Sequence, residues 1–252
     1  IHGKDNQIYQ NAEEFYRAEN GHAIGYFWGY KTAGLFQNQK EINDWIAAGN
    51  GIYQADVKPG DVKYVDVNHD GVINASDKVD LGNGLPKYTF GFNFSLAWKG
   101  FDLSANFTGA AGFQIAQSYR DPSSSQANYS RRILKRWTGE GTSNEIPRVT
   151  YGDVGNWLFS DLYLQDGDYI RLQNLTMGYD FKKLISWKGL SKMRLYFQVQ
   201  NLFTLTKYDG MDPEIGSFNG TDGNSSDSWV SGVDMGYYPH PRTFIVGLNL
   251  AF

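Results

Sequence analysis

The chain has no cysteine among its 252 residues, which excludes disulfides, thiolate nucleophiles and thiolate metal ligands. It has no apolar run approaching about eighteen residues, so no segment qualifies as a transmembrane helix. A membrane β-barrel stays open, because its strands carry a weaker signal of about ten alternating residues each. Net charge is small, −4, and no basic stripe is clustered, so nucleic acid is not an expected partner. A starting methionine and a basic leader are missing, and the opening IHGKDNQ is expected to belong to a mature or processed chain. The four histidines, His2, His22, His69 and His240, show no metal-ligand spacing with one another. No nucleophile, base and acid fall into a recognisable set, so the chain is not expected to be an enzyme.

Aromatic residues reach 16%, and there are 29 glycines. That mixture favours strands and turns over helices. YTFGFNFSLAW is the clearest strand: Tyr88, Phe90, Phe92, Phe94, Leu96 and Trp98 share one face, and Thr89, Gly91, Asn93, Ser95 and Ala97 share the other. WKGFD is a tight turn, after which Phe101, Leu103, Ala105 and Phe107 continue on a second strand to make a hairpin. In DYIRLQNLTMGYDF the phase of Ile170 and Leu172 disagrees with that of Leu175, Met177 and Tyr179, which a bulge near Gln173 or Asn174 reconciles. KKLISWKGL reads as a longer turn with one helical turn in it. MRLYFQVQNLFTL and TFIVGLNLAF alternate again, the last with Phe244, Val246, Leu248, Leu250 and Phe252 in one phase. One helix is expected in NQKEINDWIAAGN, capped by Asn38, with Glu41 three residues on, Ile42, Trp45 and Ile46 on one side, and Gly49 ending it.

Between strands the connections alternate, short then long. Residues 112–165 and 206–240 are polar, the first with Gly and Pro scattered through it, and long for loops of a compact soluble domain. Short turns at one end and long loops at the other are the arrangement of an outer-membrane barrel, with long loops extracellular and short turns periplasmic. The expected fold is therefore all-β, a transmembrane β-barrel. The competing reading is a soluble, calcium-stabilised, carbohydrate-binding β-sandwich, whose strands alternate just as strictly. The two differ at Phe90, Phe92 and Phe94, which a second sheet covers in a sandwich and nothing covers in a barrel.

DVNHDGVINASD is the sharpest local motif, inside an acidic loop spanning 56–80. Asp66, Asn68, Asp70, Val72 through its carbonyl, Asn74 and Asp77 stand at the positions of an EF-hand loop, with Gly71 at the bend and apolar Ile73 where such loops pack a side chain. Position 12 is the shorter Asp77 in place of Glu, and GDVKYVDV before it resembles a strand. Ca2+ or Mg2+ bound here for loop rigidity, and an Asx-turn loop without an ion, both remain open. Asp209, Asp212 and Glu214 are expected to be solvated. RRILKR (Arg131, Arg132, Lys135, Arg136) is expected as a short basic helix with a solvated face. Trp137, Trp157, Tyr163, Trp229, Tyr237 and Tyr238 lie in or near the long loops, where flat rings either contact a ligand or partner or pack loops together.

IGYFWGYKTAGLFQNQKEI, PGDVKYVDVNHDGVINASDKVDLGNGLPKYTFGFNFSLAWKGFDLSANFTGAAG, DYIRLQNLTMGYDF, LYFQVQNLFTLTKYDGMDPE and YYPHPRTFIVGLNLAF run in this order over nearly the whole chain. In that combination the sequence resembles the C-terminal part of a SusC/RagA-type TonB-linked outer-membrane transporter. The resemblance implies a 22-stranded barrel, of which residues 1–252 are a C-terminal segment lacking the plug domain. It implies import of oligosaccharides, or of peptides in some members. The implied partners are the rest of the receptor barrel and its plug, TonB through an N-terminal region, a SusD-type surface lipoprotein and outer-membrane lipid.

Overall fold

The computed structural model describes residues 9–10, 15–117, 131–150, 155–216 and 231–252. Trp229, named above as a candidate contact, lies outside the described residues. The strands among them, β1 to β14 in chain order, fall into two compact units.

The sheet unit holds residues 86–113, 166–214 and 237–252. Its strands β7 (Tyr88–Trp98), β8 (Phe101–Ala111), β11 (Tyr169–Asp180), β12 (Lys192–Thr206) and β14 (Thr243–Ala251) form one antiparallel sheet in the order β14-β12-β11-β8-β7. They are 9 to 15 residues long, the length that spans a bilayer when tilted. Lys99 and Gly100 join β7 to β8 with φ of 48° and 98°. Two successive positive values suit the right-handed twist of the flanking strands. The expected bulge is present. Leu172 faces Phe107, Asn174 faces the adjacent Asn106, and Gln173 is the extra residue. That one insertion returns Leu175, Met177 and Tyr179 to the face of Ile170 and Leu172. A single 3-10 turn, Phe181–Leu184, opens the connection from β11 to β12.

The other unit, residues 1–85, 114–165 and 215–236, is built from short pieces. β1 (Tyr9–Gln10), β2 (Tyr16–Ala18), β3 (Tyr26–Tyr30) and β6 (Lys78–Asn83) make a four-stranded sheet, and β4 (Thr32–Leu35) pairs with β5 (Val62–Tyr64). Two apolar clusters hold it. Tyr16, Phe27, Ala116 and Val233 form one, and Tyr30, Leu35, Val62, Tyr64 and Ile73 the other. Asp61 is buried beneath them, where Arg148 holds it through Nε and Nη2 at 2.5 and 3.0 Å and Asn156 Nδ2 donates at 2.9 Å. A buried carboxylate is tolerated only when paired and hydrogen-bonded in this way.

Helix α1 (Gln39–Ala47) starts where expected: Asn38 Oδ1 accepts from Glu41 N at 2.9 Å. Gly49 ends the segment at φ 83°. Ile42 is buried and Trp45 meets the Phe36 ring edge-on, but Ile46, expected beside them, is exposed. The stretch 112–165 is not one plain loop. It contributes β9 (Gln114–Gln117) and β10 (Leu164–Asp166), and β9 pairs in parallel with β13 (Val233–Asp234) from the stretch 206–240. Strands of two to four residues are too short for alternation to reveal them. RRILK forms a 3-10 helix, Arg131–Lys135, with none of its residues buried.

Candidate functional site

The registers of the sheet unit put like with like. Phe94, Ala105, Leu175, Val199 and Phe244 make one row across all five strands. Leu96, Leu103, Met177, Phe197 and Val246 make the next. Phe92 is 59% exposed and Val246 72%, with no second sheet over them among the described residues. The sandwich reading is therefore corrected: Phe90, Phe92 and Phe94, which it requires to be sealed, are exposed, and exposed apolar side chains recur on every strand of the sheet, with Ala105, Leu172 and Val199 buried between them.

On the opposite face Asn93, Asn106, Asn174, Gln200 and Thr243 form a polar row, followed by Ser95, Ser104, Thr176, Gln198 and Ile245. Toward the short turns Arg194 grips Asp102 with Nε–Oδ1 and Nη2–Oδ2 distances of 2.8 and 2.5 Å. The two residues sit on β12 and β8, with β11 between them. Arg194 spans the gap because β11 offers Gly178 at that point: a Cβ there would lie 2.6 Å from the Arg194 Nε. Gly247 is needed likewise, since a Cβ would meet the Tyr196 ring at 2.2 Å.

At the other end of the same face stands a buried ionic cluster that the sequence did not reveal. Arg171 on β11 is buried. Its Nε donates to Thr204 Oγ1 at 2.9 Å, Nη1 to Glu214 at 2.7 Å and Nη2 to Asp212 at 2.5 Å. Asp212 Oδ2 also accepts from the His240 backbone N–H and lies 3.1 Å from its Nδ1. The expectation that Asp212 is solvated is thus corrected: 7% exposed, it anchors its loop to the sheet. Asp209 remains exposed and Glu214 half open. Burial alone would raise the Asp212 pKa. The N–H groups of Glu214 and His240, the His240 ring and the Arg171 guanidinium outweigh it and hold the carboxyl below the usual carboxylate range. Asp212, Glu214 and His240 offer ligand atoms within 4.8 Å of one another, but Arg171 already supplies the balancing cation.

The acidic loop is wound on its own backbone. Asp66 accepts from Asp70 N and Gly71 N at 3.2 and 2.7 Å, Asn68 from Asp70 N at 3.0 Å, and Asp70 from Val72 N at 2.9 Å. Asn74 accepts from Ser76 N at 2.8 Å, and Asp77 from Val67 N and Asn74 N at 2.9 and 2.8 Å. Gly71 takes φ 84° at the bend. Ile73 is buried in the second apolar cluster, as its position in the motif requires, while Val72 faces out. Burial opposes ionisation of Asp66, yet the N–H groups of Gly71, His69 and Asp70 and the His69 charge hold its pKa below the ordinary value. The oxygen donors are of the right kind and order for a hard cation. Among the described residues, however, the carboxylates of Asp66, Asp70 and Asp77 do not draw together as the Asp212 group does.

The candidate aromatic contacts separate. Trp137 packs on the second apolar cluster and lies over Gly60, where a Cβ would meet its ring at 2.4 Å; its Nε1 donates to Gln37 Oε1 at 3.3 Å. Tyr163 OH donates to the Asn156 carbonyl at 2.9 Å, and Trp157 is half-buried. These rings pack loops together. Tyr237 and Tyr238 are exposed, Tyr238 at 89%.

No family model matches the chain. It is 34% identical over 234 residues to TonB-dependent receptor P3 of Formosa agariphila, an overlap of 92% of this chain and 22% of that protein. It is 29% identical over 205 residues to TonB-dependent receptor SusC of Bacteroides thetaiotaomicron, covering 80% of this chain and 18% of SusC. Its fold is similar to the structure of the RagAB peptide importer in the closed-closed state, with a TM-score of 0.66, 20% identity, and coverage of 100% of this chain and 25% of that chain. At such identity the likeness shows the fold alone. The chain spans about a quarter or less of the length of these relatives. Sequence similarity over most of its length, together with a shared fold of long antiparallel strands, leads to one assignment: the chain belongs to the SusC/RagA-type TonB-dependent receptors.

Proposed function

We propose that this chain supplies part of the wall of an outer-membrane β-barrel through which a TonB-dependent receptor imports oligosaccharides or peptides. One observation carries the reading: the apolar rows run across all five strands of the sheet unit with large exposed side chains on each, and the opposite face is lined by amides, hydroxyls and the Asp102–Arg194 pair. Hydrocarbon chains of the bilayer wet the first face, and the second turns to an enclosed polar lumen. In water such a face, with the edges of β7 and β14 beside it, drives association. The short turns then lie in the periplasm and the stretches 112–165 and 206–240 outside. The rest of the receptor supplies the remaining strands of a 22-stranded barrel, the plug and the region that engages TonB, and a SusD-type lipoprotein closes the outer mouth. The chain acts as a transport component and not as an enzyme. Isolating the native complex from membranes and identifying its contents by mass spectrometry tests this. The expected result is a receptor in the outer-membrane fraction with a lipoprotein and an oligosaccharide or peptide bound. A folded, monomeric receptor recovered without detergent from the soluble fraction overturns it.

The same proposal gives the Asp66–Asp77 loop a structural cation, Ca2+ or Mg2+. Its support is the donor order, three carboxylates with Asn68, Asn74 and the Val72 carbonyl at the EF-hand positions. Calcium at a hundredfold excess over its dissociation constant then stabilises the fold by about 2.7 kcal/mol, and Asp70→Ala removes that response. A thermal midpoint in the full receptor that neither calcium nor magnesium moves sinks the assignment.

A further inference from the structure

We propose that the short-turn rim of the sheet unit binds an anionic phospholipid, with an acyl chain in an apolar groove and the phosphate among lysines. This rests on the sheet being a barrel wall. An open groove of about 440 Å³ crosses the apolar face between Leu96, Met177 and Val246 and reaches Trp98, Phe101 and Tyr179 at the rim. Those rings are set in place: the Phe101 and Tyr179 centroids are 4.4 Å apart, and Tyr179 meets Phe181 at 4.9 Å. Aromatic rings at this level suit the boundary between acyl chains and headgroups.

The charge at this rim is one-sided. Lys99 is exposed at the tip of the β7–β8 turn, its Nζ 4.9 Å from the Trp98 ring centroid. Asp180 N donates to the Gly100 carbonyl at 2.8 Å, so the connection after β11 starts beside that turn. Lys182 and Lys188 belong to that connection; Lys192, which opens β12 in phase with Arg194, lies on the polar face. Lys188 is exposed, whereas Lys182 Nζ donates to the Trp187 carbonyl at 2.7 Å. The acids nearby are engaged: Asp102 is held by Arg194, and Asp180 accepts from Lys182 N at 3.0 Å. At the other end of the same unit the sign reverses, with Asp166, Asp168, Asp209, Asp212 and Glu214 outnumbering Lys87, Arg171, Lys207 and Arg242. A positive rim beneath an apolar groove matches a lipid that carries hydrocarbon and a phosphate charge, and it does not match a zwitterionic one. Each lysine near an anionic surface is worth about fivefold in affinity.

The test uses the delipidated full receptor in detergent, titrated with palmitoyl-oleoyl phosphatidylglycerol or with phosphatidylcholine of the same chains, and read by native mass spectrometry. Identical chains cancel the groove, so the ratio reports the headgroup. Wild type is expected to prefer phosphatidylglycerol by more than about tenfold, and Lys99→Gln with Lys188→Gln to lose most of that preference. Equal binding of both lipids by wild type, or an undiminished preference in the double variant, overturns the proposal. Heat-modifiable migration of the same sample reports the barrel separately. An assembled barrel without lipid preference sinks only this inference, while a receptor that never assembles in a bilayer sinks the wall reading beneath it.

Discussion

Val246→Arg, placed in the full receptor, removes most of the assembled barrel from the outer membrane, and Gln198→Arg leaves it in place. Val246 pairs with Phe197 halfway along β14 and is 72% exposed on the apolar face. An arginine there puts a charge into hydrocarbon, at a cost of about 2–4 kcal/mol near the bilayer midplane. That is a large share of a total stability of about 5–15 kcal/mol. Gln198 pairs with Ile245 in the next position along the same two strands, but its side chain points the other way, among Thr176 and Ser104. A charge on that face stays hydrated. Heat-modifiable electrophoresis of outer-membrane fractions, followed by urea unfolding, measures both. If the two variants suffer alike, both faces meet the same medium and the wall reading is wrong.

Arg171→Ala is expected to cost about 3–5 kcal/mol, the penalty for leaving a buried partner charge unpaired. Asp212 loses its guanidinium and Glu214 its second contact, so the loop after β12 detaches from the sheet. The double variant Arg171→Met with Asp212→Leu is expected to lose less than Arg171→Ala, since no orphan charge remains. The pH dependence has a definite sign. Asp212 is held below the ordinary carboxylate range in the folded state. Its contribution is therefore complete above the unfolded value of about 3.9 and is lost as pH falls through the lower folded value. Below about pH 4 the thermal midpoint of wild type falls more steeply than that of Asp212→Asn. Parallel curves for the two proteins contradict the buried pair.

Much of this was legible in the sequence because it depends on neighbours. The clash of phase between Leu172 and Leu175 announced the bulge at Gln173. The Lys99–Gly100 pair announced a two-residue turn, Asn38 a helix cap, and Ile73 a side chain that must pack. Each is a statement about positions a few residues apart, where period and backbone freedom decide the outcome. What was not legible joins distant positions. Arg171 meets Asp212 across 41 residues, Asp61 meets Arg148 across 87, and Arg194 meets Asp102 across 92. Nothing local marks Asp212 as buried and Asp209 as exposed three positions earlier.

That five long strands alternate a greasy row with a polar one, and that their connections differ in length, follows from residue order alone. Those are properties of period two and of turn chemistry. Folding in three dimensions set which charges are buried, that Gly178 leaves room for Arg194, that Trp137 packs while Tyr238 is exposed, and that the β7–β8 turn lies beside the connection after β11. The reason is that register between strands, and not order along the chain, sets which side chains meet, and register is fixed only when the rows of all five strands align at once.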